Sequence, residues 1–416
     1  MKKNCIPNVR FPEFKKDGEW KEVCLGECLI QKPEYGLNMP AVPFSPNKPT
    51  YLRITDIADD GTFISSNKMS VDAEITSENS LEEGDIVLAR TGASVGKAYK
   101  FRKEDGPLVF AGFLIRIRLD AKKLNADYLF HYLFSSEYKK WVEAISMRGA
   151  QPGINSAEYS SLKIPCPPSV EEQRKIANLL SSVDDLILDS REKQKMLQEQ
   201  KKGLLQKLFP KDGKKVPEYR FPEFKNDGEW TNGCLGDFAI FFKGKGISKA
   251  EVSSSGKIPC IRYGELYTHY KEVVKNVNSF TNLPVENLFF SQKNDVIIPA
   301  TGETAEDIST ASCIQNSGIA LGGDINVVRS TCDGIFLAYY LSHVKKNDIA
   351  KIAHGFAIVH LHIEMLSKLK VQIPSVREQK KIAETLSSVD DLISVYTDKI
   401  DQLTQYKKGL MQQLFA

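Results

Sequence analysis

Basic and aromatic residues alternate in the segment RTGASVGKAYKFRK, residues 90–103, and this combination suits contact with a polyanion. The segment contains no acidic residue, and its five cations are Arg90, Lys97, Lys100, Arg102 and Lys103. Such side chains neutralise phosphates, while polar neighbours reach base edges. We therefore predict DNA contacts by Arg90, Thr91, Ser94, Lys97 and Lys100. The alternative is a solvated hairpin on the far side of its domain.

A second basic element is FFKGKGISK, residues 241–249, and by the same argument it predicts DNA contacts by Lys243, Lys245 and Lys249. Arg53 and Arg262 are further candidates, because they occupy similar positions in the segments YLRITDI and CIRYGEL. Each of these arginines is followed three residues later by an acid. A structural ion pair within the domain is therefore the competing interpretation.

The motifs of common nucleotide-dependent enzymes are not found in the sequence. It has no Gly-rich cofactor loop after a strand, no NPPY-type methyltransferase motif, no Walker pair and no PD…ExK nuclease core. The stretch from Gly92 to Lys97 is one residue short of a P-loop, and Ala98 stands where that motif requires Ser or Thr. The chain is therefore predicted to be non-catalytic.

The cysteines and histidines do not predict a metal site. No CxxC pair occurs among the eight cysteines, which are Cys5, Cys24, Cys28, Cys166, Cys234, Cys260, Cys313 and Cys332. Buried free thiols are the better interpretation. His354, His360 and His362 have a spacing that could bind a metal, but no cysteine or acid completes the set. Packing or a base contact is the expected role of these histidines.

The overall charge of the chain is nearly balanced, with 56 basic and 53 acidic residues in 416 and a net charge of +3. Any basic binding surface must therefore be local. The length predicts two or three domains. The first residues, MKKNCIPNVRFPEF, lack the apolar run of a signal peptide, and no stretch approaches the roughly 20 apolar residues of a spanning helix. We expect a cytoplasmic protein with no membrane contact.

Almost the whole sequence is an internal duplication. VRFPEFKKDGEWKEVCLGE (9–27) returns as YRFPEFKNDGEWTNGCLGD (219–237), and EEQRKIANLLSSVDDLI (171–187) returns as REQKKIAETLSSVDDLI (377–393). The matches keep their order, so the chain is a unit of roughly two hundred residues used twice. The copies differ at the basic segment, because Ala300 replaces Arg90 and the acids Glu303, Glu306 and Asp307 follow. The second loop cannot clamp a phosphate.

Each copy ends in a long predicted helix with an apolar stripe of period seven. The helices begin after Pro168 and Pro374, with Ser169 and Ser375 as caps. The stripe includes Ile176, Val183, Leu197 and Leu204, and in the second copy Ile382, Val389, Leu403 and Leu410. This period predicts a coiled coil, and about 41 residues give a rod of roughly 60 Å.

Two glycines, Gly203 and Gly409, interrupt the helical patterns at matching places. Each costs about 1 kcal/mol relative to alanine, which indicates close backbone contact with a partner or with the other helix. Shorter helical patterns precede the long ones, at residues 126–144 and 335–352. Apolar runs such as DIVLA and DVIIPA, bounded by turn residues, predict strands.

The connection between the copies predicts an antiparallel pair of helices. The link at residues 210–218 is short and contains two prolines and a glycine, so the second domain begins near the end of the first helix. The second helix then returns along the first. Two domains held at a fixed distance suit a ligand with two sites at fixed spacing, and DNA repeats its major groove about every 34 Å.

The order of these motifs resembles the specificity subunit of type I restriction–modification enzymes. The motifs are RFPEF…DGEW…LG, YLRITDI, GDIVLARTGASVGK, GAQPGI and PPSVEEQRKIANLL, followed by the set again. The resemblance covers essentially the full chain. It implies an α+β fold in which two similar mixed α/β target recognition domains, related by a pseudo-two-fold axis, are joined by two long antiparallel coiled-coil helices.

The predicted boundaries follow from this resemblance and the repeat. Target recognition domain 1 spans residues 1–168, the first spacer helix 169–209 and the linker 210–218. Target recognition domain 2 spans residues 219–374, and the second spacer helix 375–416.

The resemblance also implies the function and the partners. Each domain would read one half of a bipartite, asymmetric site in double-stranded DNA, and the helices would set the gap and dock two methyltransferase subunits. Restriction/translocase subunits would join later. The helix residues with this role would include Glu172, Gln173, Glu378 and Gln379 as well as the stripe. The chain itself would bind no cofactor, since S-adenosylmethionine, ATP and magnesium would belong to the partners.

The segment RGAQPGIN, residues 148–155, is similar to the recognition loop of this family. The similarity implies DNA contacts by Arg148, Gln151 and Asn155, and glutamine is suited to an adenine edge. A two-headed protein scaffold that does not bind DNA is the alternative, which the near-neutral charge favours. A steep loss of affinity for random duplexes with rising salt would distinguish DNA binding from the scaffold.

Overall fold

The computed structural model describes residues 7, 9–147, 152–211, 213–355 and 358–415. Contacts between residues divide the chain into two compact units. Unit one contains residues 1–191 and 398–416, and unit two contains residues 192–397. Both divisions fall inside long helices, so each unit combines one mixed domain with segments of two helices.

Unit one contains two four-stranded sheets and a two-stranded ribbon. Its strands are β1 (Lys21–Cys24), β2 (Glu34–Tyr35), β3 (Ala41–Pro43), β4 (Thr50–Leu52), β5 (Met69–Val71), β6 (Ile86–Ala89), β7 (Ala98–Lys100), β8 (Leu108–Phe110), β9 (Leu114–Ile117) and β10 (Lys163–Cys166). The sheets have the orders β2-β9-β6-β7 and β3-β5-β4-β8, and β1 pairs with β10. All pairs are antiparallel except β4 with β8.

The helices of this part of the chain are α1 (Ala126–Tyr132), α2 (Ser136–Ser146), α3 (Ser156–Ser160) and α4 (Val170–Lys207). The predicted helix at residues 126–144 is thus two helices. The break occurs because the Ser135 side chain accepts a hydrogen bond from the backbone N–H of Tyr138, 3.2 Å away, and so caps a new helix.

Strand β6 is buried on both faces. Ile86 and Leu88 lie in a hydrophobic cluster with the helices, whereas Val87 and Ala89 lie in a second cluster with residues of β8. Successive side chains of a strand point to opposite faces, so a strand covered on both sides is a continuous apolar run. The DIVLA prediction is confirmed.

Unit two repeats this plan with more strands. They are β11 (Thr231–Cys234), β12 (Ala239–Lys243), β13 (Val252–Ser253), β14 (Ile258–Ile261), β15 (Val273–Val274), β16 (Ser279–Thr281), β17 (Val296–Pro299), β18 (Thr301–Gly302), β19 (Ser312–Ile314), β20 (Ala320–Leu321), β21 (Ile325–Ser330), β22 (Val359–His360) and β23 (Lys370–Ile373). The sheet orders are β12-β21-β17-β19-β15, β13-β16-β14-β20, β11-β23 and β18-β22. Strand β17 is also buried on both faces, since Val296 and Ile298 join one cluster and Ile297 another.

The remaining helices are α5 (Tyr263–Thr268), α6 (Gly334–Tyr339), α7 (Lys346–Ile352), α8 (Ile363–Ser367) and α9 (Val376–Leu414). A π-helical turn, Tyr340–Val344, lies between α6 and α7, so the helix predicted at 335–352 is also interrupted. No helix within the described ranges is long and apolar enough to cross a membrane.

The cysteines in the described part of the chain are free thiols. Seven lie in the described part of the chain, and five of these are buried. Burial raises the pKa of the Cys313 thiol to about 12. These properties agree with the interpretation as packing residues.

The long helices run antiparallel within unit two. The Gln194 side-chain N–H donates to the Thr397 hydroxyl at 2.7 Å, and the Lys201 ammonium lies 2.8 Å from the Asp390 carboxylate. From the first pair to the second, the residue number rises by seven on α4 and falls by seven on α9, as it does in antiparallel helices.

In unit one, Lys407 of α9 donates to Asp184 of α4 at 2.6 Å. The end of α9 also shares a hydrophobic cluster with the start of α4. The predicted antiparallel direction is confirmed within each unit. Ile176, Val183, Ile382 and Val389 of the stripe are buried, and Leu197, Leu204, Leu403 and Leu410 are partly buried.

Each long helix is joined to its own domain through its first turn. Arg10 donates twice to the fully buried Glu172 carboxylate, at 2.7 Å in both bonds, and Arg220 donates to Glu378 at 2.9 and 2.7 Å. This explains why the RFPEF and EQ motifs recur together. Ser169 and Ser375 accept hydrogen bonds from backbone N–H groups of this turn, as predicted for caps.

The two glutamines act alongside these carboxylates. The Gln173 side-chain oxygen accepts from the backbone N–H of Asn125 at 2.8 Å, and that of Gln379 accepts from Asp333 at 2.7 Å. Glu172, Gln173, Glu378 and Gln379 are all buried. The structure therefore corrects the expectation that these four residues contact a partner protein, because their polar groups are used inside their own unit.

Candidate nucleic-acid interface

The basic segment of unit one folds as a hairpin. Strand β6 leads through a 3-10 turn, Gly92–Ser94, into β7, and Ile86 pairs with Lys100. Arg90 follows the last residue of β6, so Lys100 lies about 13 Å from it at a rise of about 3.3 Å per residue. Arg90 and Lys100 are therefore separated along the length of the hairpin, and the prediction that each contacts DNA stays a prediction.

The lysines of this hairpin already have acidic partners. The Lys97 ammonium lies 2.7 Å from the Asp59 carboxylate, Lys100 pairs with Asp127, and Lys103 pairs with Glu83. Burial lowers the pKa of Lys100, and its side chain is mostly covered. A phosphate contact by Lys97 or Lys100 would have to compete with an existing ion pair.

Arg90 differs from these lysines. Its guanidinium lies over the Tyr35 ring of β2, with the central carbon 4.7 Å from the ring centroid. Its Nε is buried and has no hydrogen-bond partner within the described residues. The Tyr35 hydroxyl accepts a hydrogen bond from the backbone N–H of Ser156 at 3.1 Å. This bond, together with the Arg90 charge, lowers the pKa of the Tyr35 hydroxyl.

Phe113 completes the group around Arg90. Its carbonyl accepts the backbone N–H of Arg90 at 3.0 Å, while its side chain is 60% exposed. Tyr35, Phe113 and Arg90 stand at one end of the neighbouring strands β2, β9 and β6. We call these three residues the Arg90 cluster. The sequence does not indicate the role of the two rings, because no local pattern reveals that β2 pairs with β9, some eighty residues away.

The turn of the hairpin meets the segment that follows α2. Thr91 forms a bridge with Gly153, and the backbone N–H of Gly92 donates to the Pro152 carbonyl at 3.0 Å. Ser94, a partly buried residue, ends the turn. Two segments predicted to contact DNA, 90–94 and 152–155, are thus brought together. Arg148 and Gln151 lie outside the described residues.

Asn155 has a structural role in addition to any contact with DNA. Its side chain accepts the backbone N–H of Glu158 at 2.9 Å and caps α3. Arg53 forms the structural ion pair that was one interpretation of its motif, with 2.8 and 2.6 Å bonds to the buried Asp56 carboxylate. Arg262 does not form the equivalent ion pair with Glu265. Its Nε donates to the Ile247 carbonyl at 3.1 Å, and the Glu265 carboxylate accepts the backbone N–H of Arg262.

The basic element of unit two is exposed. Lys243 ends β12, and Lys249 lies in a 3-10 turn. Lys245 donates to the Glu286 carbonyl at 2.9 Å. Gly244, between the first two lysines, packs so closely on the Gly322 carbonyl that a Cβ would overlap it. Gly36 meets the Phe110 carbonyl in the same way, so Tyr35 and Lys243 are equivalent positions.

The rest of the Arg90 cluster is also replaced in unit two. Ala300 takes the place of Arg90, and its backbone N–H donates to the carbonyl of Asp324 at 2.8 Å, as Arg90 donates to Phe113. The adjacent strand β18 pairs with β22, which places His360 opposite Thr301. The exposed rings of His360 and His362 lie 6.4 Å apart. Their exposure excludes core packing, and a base contact stays a prediction.

Within the part of the chain that the structure describes, no three His, Cys, Asp or Glu side chains are grouped so as to hold a metal ion.

The strand end in unit one presents the guanidinium of Arg90 and the two exposed rings of Tyr35 and Phe113. The equivalent end in unit two offers a lysine, an acid and two imidazoles. Both sets consist of groups that form hydrogen bonds or stacking contacts with bases.

Comparison with known proteins gives consistent matches. The family model described as the type I restriction modification DNA specificity domain matches residues 19–198 and 227–405. The chain is similar to the putative type I restriction enzyme MjaX specificity subunit of Methanocaldococcus jannaschii, with 27% identity over 80% of this chain and 78% of that protein. It is also 24% identical to the MjaVIII specificity subunit of the same organism, over 81% and 79% of the two chains. The crystal structure of a type I restriction–modification S subunit from M. genitalium matches with a TM-score of 0.65 and 16% identity, over 99% of both chains.

Proposed function

Because the chain belongs to the type I restriction–modification DNA specificity family, we propose that its two units read the two halves of a bipartite, asymmetric DNA sequence. The observation that carries this proposal is the difference at equivalent strand ends. Tyr35, Arg90 and Phe113 in unit one correspond to Lys243, Ala300 and Asp324 in unit two. A shared scaffold with different exposed groups is what two unlike half-sites require.

The long helices have two roles in this proposal. They set the gap between the half-sites, and they provide two equivalent binding surfaces for two identical methyltransferase subunits. Leu186 and Leu392 occupy matching places in the SSVDDLI repeats and are 47% and 48% exposed. An apolar side chain exposed to the same extent in both copies suits a protein partner that binds twice.

Catalysis resides in the partners in this scheme. The assembled complex would be an adenine-N6 DNA methyltransferase and, with restriction/translocase subunits, an ATP-dependent endonuclease. S-adenosylmethionine, ATP and magnesium would be bound by those subunits. This chain would supply sequence selection and spacing.

Methylation sequencing of a host genome tests the proposal. The chain is expressed with its methyltransferase subunits, and N6-methyladenine is mapped. We expect one bipartite motif with two unlike halves and a fixed gap. A continuous motif, or no motif in a host that contains the assembled complex, would contradict the proposal.

A domain exchange separates the two halves. Replacing residues 31–155 by the corresponding segment of another specificity subunit should change the half-site read by unit one and leave the other half and the gap unchanged. The reciprocal exchange in unit two is the matched control. Changes in both halves after a single exchange would show that the units do not read independently.

The gap should depend on helix length. The helix pair of unit two is held in register by Gln194–Thr397 and Lys201–Asp390, so one heptad must be added to both helices, after Gln194 and before Thr397. Seven residues add about 10 Å, which corresponds to about three base pairs of DNA. The half-sites should stay the same while the gap widens, and an unchanged gap would exclude the helices as the spacer.

A further inference from the structure

We propose that Arg90 reads a guanine in the major groove of the half-site bound by unit one, with Tyr35 as the residue that positions its guanidinium. This inference rests on the proposed function, since it assumes that unit one contacts DNA. It goes further by assigning one base and one side chain.

Arg90 stands apart from the lysines of its hairpin. Lys97, Lys100 and Lys103 each have a carboxylate partner, whereas no described residue forms a hydrogen bond or ion pair with the Arg90 side chain. A phosphate clamp needs several free cations along the backbone. Arg102, the other arginine of the segment, is exposed and follows β7, so it lies at the opposite end of the hairpin from Arg90. A free guanidinium next to the paired Lys97 suits a contact with a base edge better.

The guanidinium of Arg90 is held in one orientation. The guanidinium is stacked on Tyr35, and the tyrosine is itself held by the hydrogen bond that its hydroxyl accepts from Ser156. The Nε atom is buried and has no hydrogen-bond partner among the described residues, so the two terminal nitrogens are the donors that a ligand can reach. A planar fork that is already oriented loses little conformational freedom when it forms two parallel hydrogen bonds.

The donor pattern of this fork matches one base. Guanine presents two acceptors in the major groove, O6 and N7, at the separation that an arginine fork spans. Adenine presents one acceptor and one donor there, and a guanidinium has no acceptor for that donor. The backbone of Phe113 is hydrogen-bonded to that of Arg90, and its ring is 60% exposed, so the ring is available for an apolar contact with a neighbouring base.

The first test compares three variants by methylation sequencing. Arg90→Ala and Arg90→Lys should both lose discrimination at one guanine of the unit-one half-site, because lysine keeps the charge but not the fork. Lys103→Gln changes a cation of the same segment that is paired with Glu83 and is not among the predicted DNA contacts; it is the control and should keep the wild-type motif. If Arg90→Lys retains the full motif, Arg90 contacts a phosphate and the inference is wrong.

The second test uses duplexes that carry 7-deazaguanine at the mapped position, which removes the N7 acceptor. The wild-type complex should bind the modified duplex on the order of tenfold more weakly. The Arg90→Ala complex should bind both duplexes alike, because the contact is already absent. If the modified base lowers the affinity of the wild-type and Arg90→Ala complexes equally, the assignment is wrong. The comparison holds even if the variant is less stable, because each complex is compared with itself on the two duplexes.

The third test addresses Tyr35. Tyr35→Phe keeps the ring under the guanidinium and should keep most of the discrimination, whereas Tyr35→Ala should reduce it while Arg90 remains. The dependence of affinity on salt separates base from phosphate contacts, since loss of a phosphate contact lowers the salt slope by about one and loss of a base contact does not. Full discrimination in Tyr35→Ala would remove the positioning role.

The outcomes distinguish this inference from the proposed function. Absence of a bipartite motif in the wild type would refute the proposed function. A bipartite wild-type motif that Arg90→Ala leaves unchanged at every position would refute only the guanine assignment. A motif without guanine in the half-site that the exchange of residues 31–155 alters would do the same.

Discussion

The two units carry the same buried framework and different exposed strand ends. The bond of Arg10 to Glu172 is matched by that of Arg220 to Glu378, and Gly36 is matched by Gly244 against a carbonyl. At the exposed ends, however, few side chains agree between the copies. Duplication has therefore kept the groups whose replacement would leave a buried charge or a backbone clash, and it has let the solvent-facing groups diverge.

The anchors at the helix starts should show the largest effects. Glu172→Ala and Glu378→Ala each leave a buried arginine without its carboxylate, and we expect losses of about 3–5 kcal/mol in the free energy of unfolding. Denaturant unfolding measures both variants. Glu172 also accepts a hydrogen bond from Trp20, so its loss should be the greater. Glu171→Ala removes an exposed carboxylate of the same turn and should change stability by less than about 0.5 kcal/mol.

The close approach of Gly36 and Gly244 to backbone carbonyls should also contribute to stability in both units. Gly36→Ala and Gly244→Ala each place a methyl group on a backbone carbonyl, and overpacking of this kind should destabilise by about 1–3 kcal/mol. Thermal unfolding compares them with Gly246→Ala, where no described atom lies within 4 Å of the added Cβ. If all three variants unfold alike, the close approaches do not contribute to stability.

A difference between the units at the helix junction predicts a pH effect. His131 donates to or accepts from Ser181 at 3.0 Å. Burial, with the charges of Lys407 and Lys100, lowers the pKa of His131 to about 3. At the equivalent position, Tyr339 donates to Asp390 instead. In the unfolded chain the His131 side chain has the ordinary histidine pKa of about 6.5, so below that pH it binds a proton that the folded chain does not bind. The free energy of unfolding therefore decreases as the pH falls from about 6.5 toward 3.

His131→Tyr should remove that loss and make unit one resemble unit two. Between pH 7 and 5 the wild type should lose about 2 kcal/mol more free energy of unfolding than the variant. His269→Gln changes an exposed imidazole and should keep the wild-type pH dependence. Parallel pH profiles for wild type and His131→Tyr would contradict this account.

The smallest effect is expected at the matched helix glycines. No described atom lies within 4 Å of a Cβ added to Gly203 or Gly409, so packing inside this chain does not require glycine there. Gly203→Ala and Gly409→Ala should each stabilise the chain by up to about 1 kcal/mol. If either variant also weakens assembly with the methyltransferase in a pull-down, the glycine serves a partner contact.

Local patterns allowed much of the fold to be predicted. The long helices, their caps and their stripes depend on residues three to seven positions apart, and strand runs such as DIVLA depend on burial of both faces. The candidate site was predicted less well. Arg90, Thr91 and residues 152–155 do lie together, but Tyr35 and Phe113 were missed, and the carboxylate partners of Lys97 and Lys100 were not foreseen.

The sequence by itself determined that one unit of domain and helix is used twice, because repeats and heptads are patterns along the chain. Only the tertiary structure decided which cations remain available to a ligand. Lys97 is neutralised by Asp59 and Lys100 by Asp127, whereas Arg90 rests on Tyr35. These partners lie about 30 to 55 positions away, and strand register and helix placement alone bring them within a few ångströms.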